Sequence, residues 1–154
     1  MNTMFHVIDD DTTLSSLMVE LLESDGYQAV GYSSPIEYLH FVESKYYIPP
    51  VAVITDVRMP EMSGYELIDK LRELFPKQRA VVVSGDDTGD RAATRDICHF
   101  LSKPIAPETL FDLAALITKC DQMKTADAQC HKLAGLPCSA LDCHPQDCFI
   151  VDHA

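Results

Sequence analysis

Positive charge is scarce in this chain of 154 residues: 12 Lys and Arg stand against 24 Asp and Glu, a formal net charge of −12. A nucleic-acid backbone calls for a cationic face, so neither DNA nor RNA is expected as a partner. No basic helix or Lys/Arg-rich tract is visible, which argues against an anionic membrane surface. No apolar stretch is long enough to span a bilayer. No secretory leader is expected either, because the first residues alternate polar and apolar and run straight into Asp9. The expected compartment is therefore the cytoplasm. There is no internal repeat and no long low-complexity run. Cysteine is plentiful, yet the Cys-x-x-Cys spacing that makes the stronger zinc signature does not occur.

Apolar residues make up 47% of the chain, enough for one well-cored domain plus an extension. The first 120 residues alternate strand and helix signals. Phe5–Ile8 reads as a buried strand, and Leu14, Leu17, Met18, Leu21 and Leu22 then recur at helical spacing before Gly26, a helix stop. Tyr27–Tyr32 is a short second strand. Ser34-Pro35 opens a helix, with Ser as cap and Pro at the first helical position. Ile36, Leu39 and Phe41 are its expected buried side. Pro49-Pro50 leads into a central strand, Val51–Thr55. Ser63-Gly64-Tyr65-Glu66 reads as a capping box for a helix whose apolar face is Leu67, Ile68, Leu71, Leu74 and Phe75, with Pro76 marking its end. Ala80–Val83 is a fourth strand. The polar stretch from Asp86 to Asp96 can hold at most a short helix, and Ile97–Leu101 is a fifth strand. Ala106-Pro107-Glu108 begins the last helix, with Leu110, Leu113, Ala114 and Ile117 facing inward. This alternation, with near-continuous apolar strands, predicts an α/β domain whose parallel sheet is covered on both faces.

Three charged features follow three of these strands: Asp9-Asp10, Asp56 and Lys103-Pro104. In an open parallel sheet the strand carboxyl ends share one edge, and ligands bind in the crevice there. Crowded carboxylates repel, and a hard divalent cation such as Mg²⁺ lets them stay ionised. A nearby lysine would neutralise an added phosphoryl group. Taken singly, each feature has a plainer reading, since Asp caps helices and forms turns. Asp11 is assigned to such a cap. The joint pattern favours a metal-phosphate site.

The chain resembles a response-regulator receiver domain, the phospho-accepting half of a bacterial two-component system. The resemblance covers residues 1 to about 119. It rests on Asp9-Asp10, on Asp56 within Thr55-Asp56-Val57-Arg58-Met59-Pro60-Glu61-Met62-Ser63-Gly64, and on Ser84-Gly85, Phe100 and Lys103-Pro104, in order and at suitable spacing. It implies a flavodoxin-like doubly wound sheet with strand order 2-1-3-4-5. It also implies that Asp56 takes a phosphoryl group from a histidine kinase or phosphotransfer protein. Asp10 would bind Mg²⁺ directly, Asp9 would ligate it or hold its water, and Asp56 and the backbone carbonyl of Arg58 would complete the protein ligands. Lys103 would offset charge on the transferring group, Ser84 would donate its hydroxyl to a phosphate oxygen, and Phe100 would be the switch aromatic. The Lys103–Pro104 peptide is expected to be cis. The implied role is a phosphorelay signalling protein that acts through protein contacts, on an unidentified output protein and with a homodimer allowed for. No DNA-binding or enzymatic output domain is recognised. A weak autophosphatase activity is expected, without enzyme function in the usual sense. Two departures fall on the output face. The stretch between Ser84 and Lys103 is about one helical turn shorter than the family norm, and Ile97-Cys98-His99 replaces the usual Gly-Ala.

From 120 to 154 the periodicity fades, and the domain boundary is placed near residues 119–125. This Cys/His-rich extension holds Cys130, Cys138, Cys143 and Cys148, with His131 and His144 directly after thiols. The four thiolates would make one closed Zn²⁺ site, with either histidine able to replace one of them. An iron–sulfur cluster also takes four thiolates. The remaining readings are small buried thiols or redox-active ones. The alternative function is thus a metal or redox sensor with the receiver as scaffold. A Mg²⁺-dependent phosphohydrolase would need a second acid two residues after the nucleophile, where Arg58 stands. Cys98 reads as core, and His40 and His99 as structural or surface histidines.

Overall fold

The computed structural model describes residues 3–85 and 99–126. Five strands are present among them: β1 Met4–Ile8, β2 Gln28–Tyr32, β3 Ala52–Asp56, β4 Ala80–Ser84 and β5 His99–Ser102. Four helices accompany them: α1 Thr12–Ser24, α2 Pro35–Val42, α3 Gly64–Leu74 and α4 Pro107–Ala126. The sheet is parallel throughout, in the order β2-β1-β3-β4-β5. This is the doubly wound flavodoxin-like topology, with the order reversing between β1 and β3.

The strands are apolar along their whole length because both faces are covered. Side chains alternate across the sheet. Phe5, Val7, Ala52, Ile54, Val81 and Val83 pack with Met18 and Leu22 of α1 and with Leu110, Leu113, Ala114 and Ile117 of α4. On the other face, Ile8 and Val53 meet Tyr38 and Val42 of α2 and Leu67 and Leu71 of α3. Ala80 and Val82 pack on Ile68. β3 and β4 are buried at every position, whereas the edge strand β2 has no buried one.

Helix ends follow local chemistry. The Asp11 side chain accepts from the Thr13 and Leu14 amides, Ser34 from the Glu37 amide, and Ser63 from the Glu66 amide, each satisfying an amide that the first turn leaves open. Gly26 follows α1 with φ at +93°, a conformation glycine adopts without penalty.

Three expectations about helix faces need correction. Ser15, Met18 and Leu22 are the buried residues of α1, and Leu17 is 49% exposed. Successive helical residues are ~100° apart, so Leu17 lies well round from Met18 although its spacing to Leu14 and Leu21 looks right. In α2 the buried residues are Pro35, Tyr38 and Val42, while Ile36, Leu39 and Phe41 are only partly covered. Tyr38 takes the central place because His6 and Tyr47 satisfy its hydroxyl inside the core, at 2.8 and 3.0 Å. Leu74 ends the apolar stripe of α3 but is 52% exposed, beyond the edge of the sheet-facing arc.

α4 runs past residue 119 to Ala126, and Asp121 on it pairs with Arg79, the residue before β4, at 2.7 Å. His40 is exposed. The polar stretch 86–96, residues Ile97 and Cys98, and all six candidate tail ligands (Cys130, His131, Cys138, Cys143, His144 and Cys148) lie outside the described residues.

Candidate functional site

Asp9 and Asp10 follow β1, Asp56 ends β3, Ser84 ends β4 and Lys103 follows β5. Parallel pairing brings all these ends to one edge. Ile8 pairs with Thr55, Asp56 with Val83, and Ser84 with Ser102. Carboxylate oxygens of Asp9, Asp10 and Asp56 lie within 4.8 Å of one another. Asp9 and Asp56 are buried and Asp10 is exposed. Lys103 reaches back across the edge, its Nζ 3.1 Å from Asp56 Oδ1 and 3.4 Å from Asp9 Oδ2.

The electrostatics follow from this crowding. Burial pushes the Asp9 carboxyl above the usual carboxylate range, and the charge of Asp56 pushes the same way. The Asp11 amide, which donates to Asp9 Oδ1 at 2.9 Å, and the Lys103 ammonium oppose the rise. Burial pulls Lys103 down, but its hydrogen bond to Asp56 and the charges of Asp9 and Asp56 outweigh this. The net direction is up. Lys103 is therefore a firm cation, held between two carboxylates.

A hard divalent ion fits this donor set, because three oxygen-bearing side chains converge and one of them is oriented by a backbone amide. Arg58, itself exposed, stands two residues beyond Asp56 on the loop that joins β3 to α3. Ser84 is buried, and its carbonyl accepts from the Lys103 amide at 2.8 Å. The Lys103–Pro104 peptide is cis. Phe100 pairs with Val82 through the backbone of β5.

Two backbone contributions to the site were not read from the sequence. Asp11 caps α1 with its side chain, but it orients Asp9 through its backbone amide, and no side-chain pattern announces that. Gly64 lies so close to the acceptor strand that a Cβ there would collide with the Asp56 carbonyl oxygen. Its amide also donates to the Val57 carbonyl at 2.9 Å. The available signal was glycine directly after a capping serine, a place where the helix itself has no need of glycine.

The chain matches the family described as the response regulator receiver domain over residues 5–115. It is 32% identical over 117 residues to the transcriptional regulatory protein FixJ of Azorhizobium caulinodans, covering 73% of this chain and 50% of that one. It is 28% identical over 110 residues to a response regulator receiver protein of Anaeromyxobacter, covering 70% and 45%. The chain thus spans about half the length of these relatives. Among solved structures, a CheY-like receiver domain from Methylobacillus flagellatus is 29% identical with a TM-score of 0.65, covering 76% of this chain and 99% of that one. The response regulator TrrA of Thermotoga maritima, solved in complex with Mg²⁺ and BeF, shares the fold at 18% identity and a TM-score of 0.66, over 75% of this chain and 98% of that one. Sheet order, the acidic edge and the sequence match agree: this chain belongs to the response regulator receiver domain family.

Proposed function

We propose that Asp56 accepts a phosphoryl group from a phosphohistidine on a sensor kinase or phosphotransfer protein, and that the modified domain signals through protein contacts. The observation that carries this reading is the convergence on Asp56 of two further carboxylates and the Lys103 ammonium. An Asp56 carboxylate oxygen attacks phosphorus, the P–N bond breaks, and its electron pair leaves with the donor imidazole. The product is an acyl phosphate. Asp9, Asp10, Asp56 and the Arg58 carbonyl are the proposed ligands of Mg²⁺, which would supply charge stabilisation to the transferring group. TrrA, with its bound Mg²⁺ and BeF, supports that assignment by analogy.

Lys103 is already beside the acceptor oxygen and needs only to follow the charge as it spreads over the phosphoryl oxygens. Ser84, at the adjacent strand end, is the proposed hydroxyl donor to a phosphate oxygen. Phe100, opposite Val82 on the neighbouring strand β5, is the proposed responder to that bond. The slow loss of the phosphoryl group to water restores the resting carboxylate.

Intact-mass analysis after incubation with acetyl phosphate tests this. Wild type should gain one phosphoryl group with Mg²⁺ and none with excess chelator, and Asp56→Asn should gain none in either case. Equal labelling of the wild type and Asp56→Asn would refute the assignment.

A further inference from the structure

The loop that leaves Asp56 is pinned at both ends. The Val57 amide donates to the Val83 carbonyl at 3.3 Å, and the Val57 carbonyl accepts from the Gly64 amide at 2.9 Å. Met59 is buried in the core cluster that holds Tyr38 and Leu67. The crest of the loop, Pro60 and Glu61, is exposed. It has an anchor of its own: Glu61 Oε1 accepts a hydrogen bond from Ser34 Oγ at 2.7 Å, across 27 positions of sequence.

Ser34 uses its hydroxyl twice. Its Oγ also accepts from the Glu37 amide at 3.2 Å, capping α2. With an acceptor lone pair turned to that amide, the one hydroxyl proton goes to Glu61. A short hydroxyl-to-carboxylate bond is charge-assisted, and a carboxylate beside a helix N-terminus is favoured as well.

Sheet order gives this bond its place. β1 lies between β2 and β3. Ser34 stands two residues past the end of β2, and Glu61 five past the end of β3. Their bond therefore joins the two strand exits that flank the exit of β1, where Asp9 and Asp10 stand. It closes on the α2 and α3 side of the sheet, whereas the chain from Asp10 turns into α1 on the other side. Arg58 lies within the span so tied, between the bonds of Val57 and the buried Met59.

We propose that Ser34 and Glu61 are positioning residues for the divalent cation. Their hydrogen bond fixes the loop so that the Arg58 carbonyl is presented to the ion alongside Asp9, Asp10 and Asp56. Neither side chain is itself a ligand. The proposal rests on the Mg²⁺ ligand set proposed above.

Titration calorimetry with Mg²⁺ on the full-length protein tests it. The proteins compared are wild type, Asp10→Asn, Ser34→Gly, Glu61→Ala, Glu61→Gln and the double variant Ser34→Gly/Glu61→Ala. Glycine is an acceptable cap, so Ser34→Gly keeps α2. The Kd for Mg²⁺ should rise about tenfold in Ser34→Gly and in Glu61→Ala. It should rise no further in the double variant, because one bond is lost in all three. Glu61→Gln should stay within about twofold of wild type, since its amide oxygen accepts the same bond. An unchanged Kd in either single variant, or losses that add in the double, overturns the proposal and leaves the ligand set standing. A loss in Glu61→Gln equal to that in Glu61→Ala also overturns it, in favour of a simple charge effect. Wild type that binds no Mg²⁺, or binds it no better than Asp10→Asn, overturns the ligand set and the proposal together.

Discussion

Replacing His6 with phenylalanine should remove a specific part of the acid sensitivity of this fold. His6 lies in β1, 4% exposed, with its ring among Tyr32, Tyr38, Phe41 and Tyr47 and its Nδ1 2.8 Å from the Tyr38 hydroxyl. Burial lowers its pKa from 6.5 to about 4. The folded state therefore resists protonation that the unfolded chain accepts. Between these two values the unfolded state binds more protons, so stability is full above pH 6.5 and is lost as pH falls towards 4. At 1.36 kcal/mol per pKa unit the complete effect is about 3 kcal/mol, and by pH 5 roughly 2 kcal/mol of it is gone. Urea denaturation of wild type and His6→Phe at pH 8 and pH 5 isolates this contribution, because titration of the carboxylates is common to both proteins. The stability of wild type relative to the variant should fall by about 2 kcal/mol between pH 8 and pH 5. Parallel loss in the two proteins would refute the reasoning and would mean that His6 is protonated in the fold or reached by water.

Lys103→Gln keeps a polar side chain but removes the cation 3.1 Å from Asp56, so phosphorylation by acetyl phosphate should slow by roughly a hundredfold, a loss that mass spectrometry over a time course would show; an unchanged rate would count against the role of the ammonium. Gly64→Ala places a methyl against the Asp56 carbonyl oxygen, and backbone displacement of this kind should cost about 1–3 kcal/mol in a urea midpoint measurement. Asp11→Ala removes the cap of α1 but keeps the amide that holds Asp9. It should lower stability by about 1 kcal/mol with no change in the extent of phosphorylation.

Much of the architecture can be read from composition along the strands. Ala80–Val83 is apolar at every position because helices cover both faces, and this distinguishes a central parallel strand from a half-exposed one. Ser34-Pro35 and Ser63 through Glu66 are helix starts because their chemistry is local. The inward face of α4 is equally legible, since Leu110, Leu113, Ala114 and Ile117 fill one arc. The acids and the lysine were legible as a set because each ends or follows an apolar strand. Illegible features depend on distant partners. The burial of Tyr38 requires His6 and Tyr47 to accept or donate to its hydroxyl, and nothing near Tyr38 in sequence says so. Leu17 and Leu74 have correct spacing, but the arc that a helix buries is set by where it lands on the sheet. The amide of Asp11 and the backbone approach of Gly64 carry no side-chain signature.

Formal charge gives the Lys103 contacts a further meaning. With Asp9, Asp10 and Asp56 ionised and Lys103 protonated, three negative charges less one positive leave an excess of two. A divalent cation cancels that excess, whereas a monovalent one leaves half of it. Were the Asp56 carboxylate converted to a dianionic acyl phosphate, a pocket neutralised by such an ion would gain one more negative charge. A domain so modified would differ from the resting one by a full elementary charge at the sheet edge, before any atom elsewhere had moved, and a binding partner could discriminate the two forms by field alone.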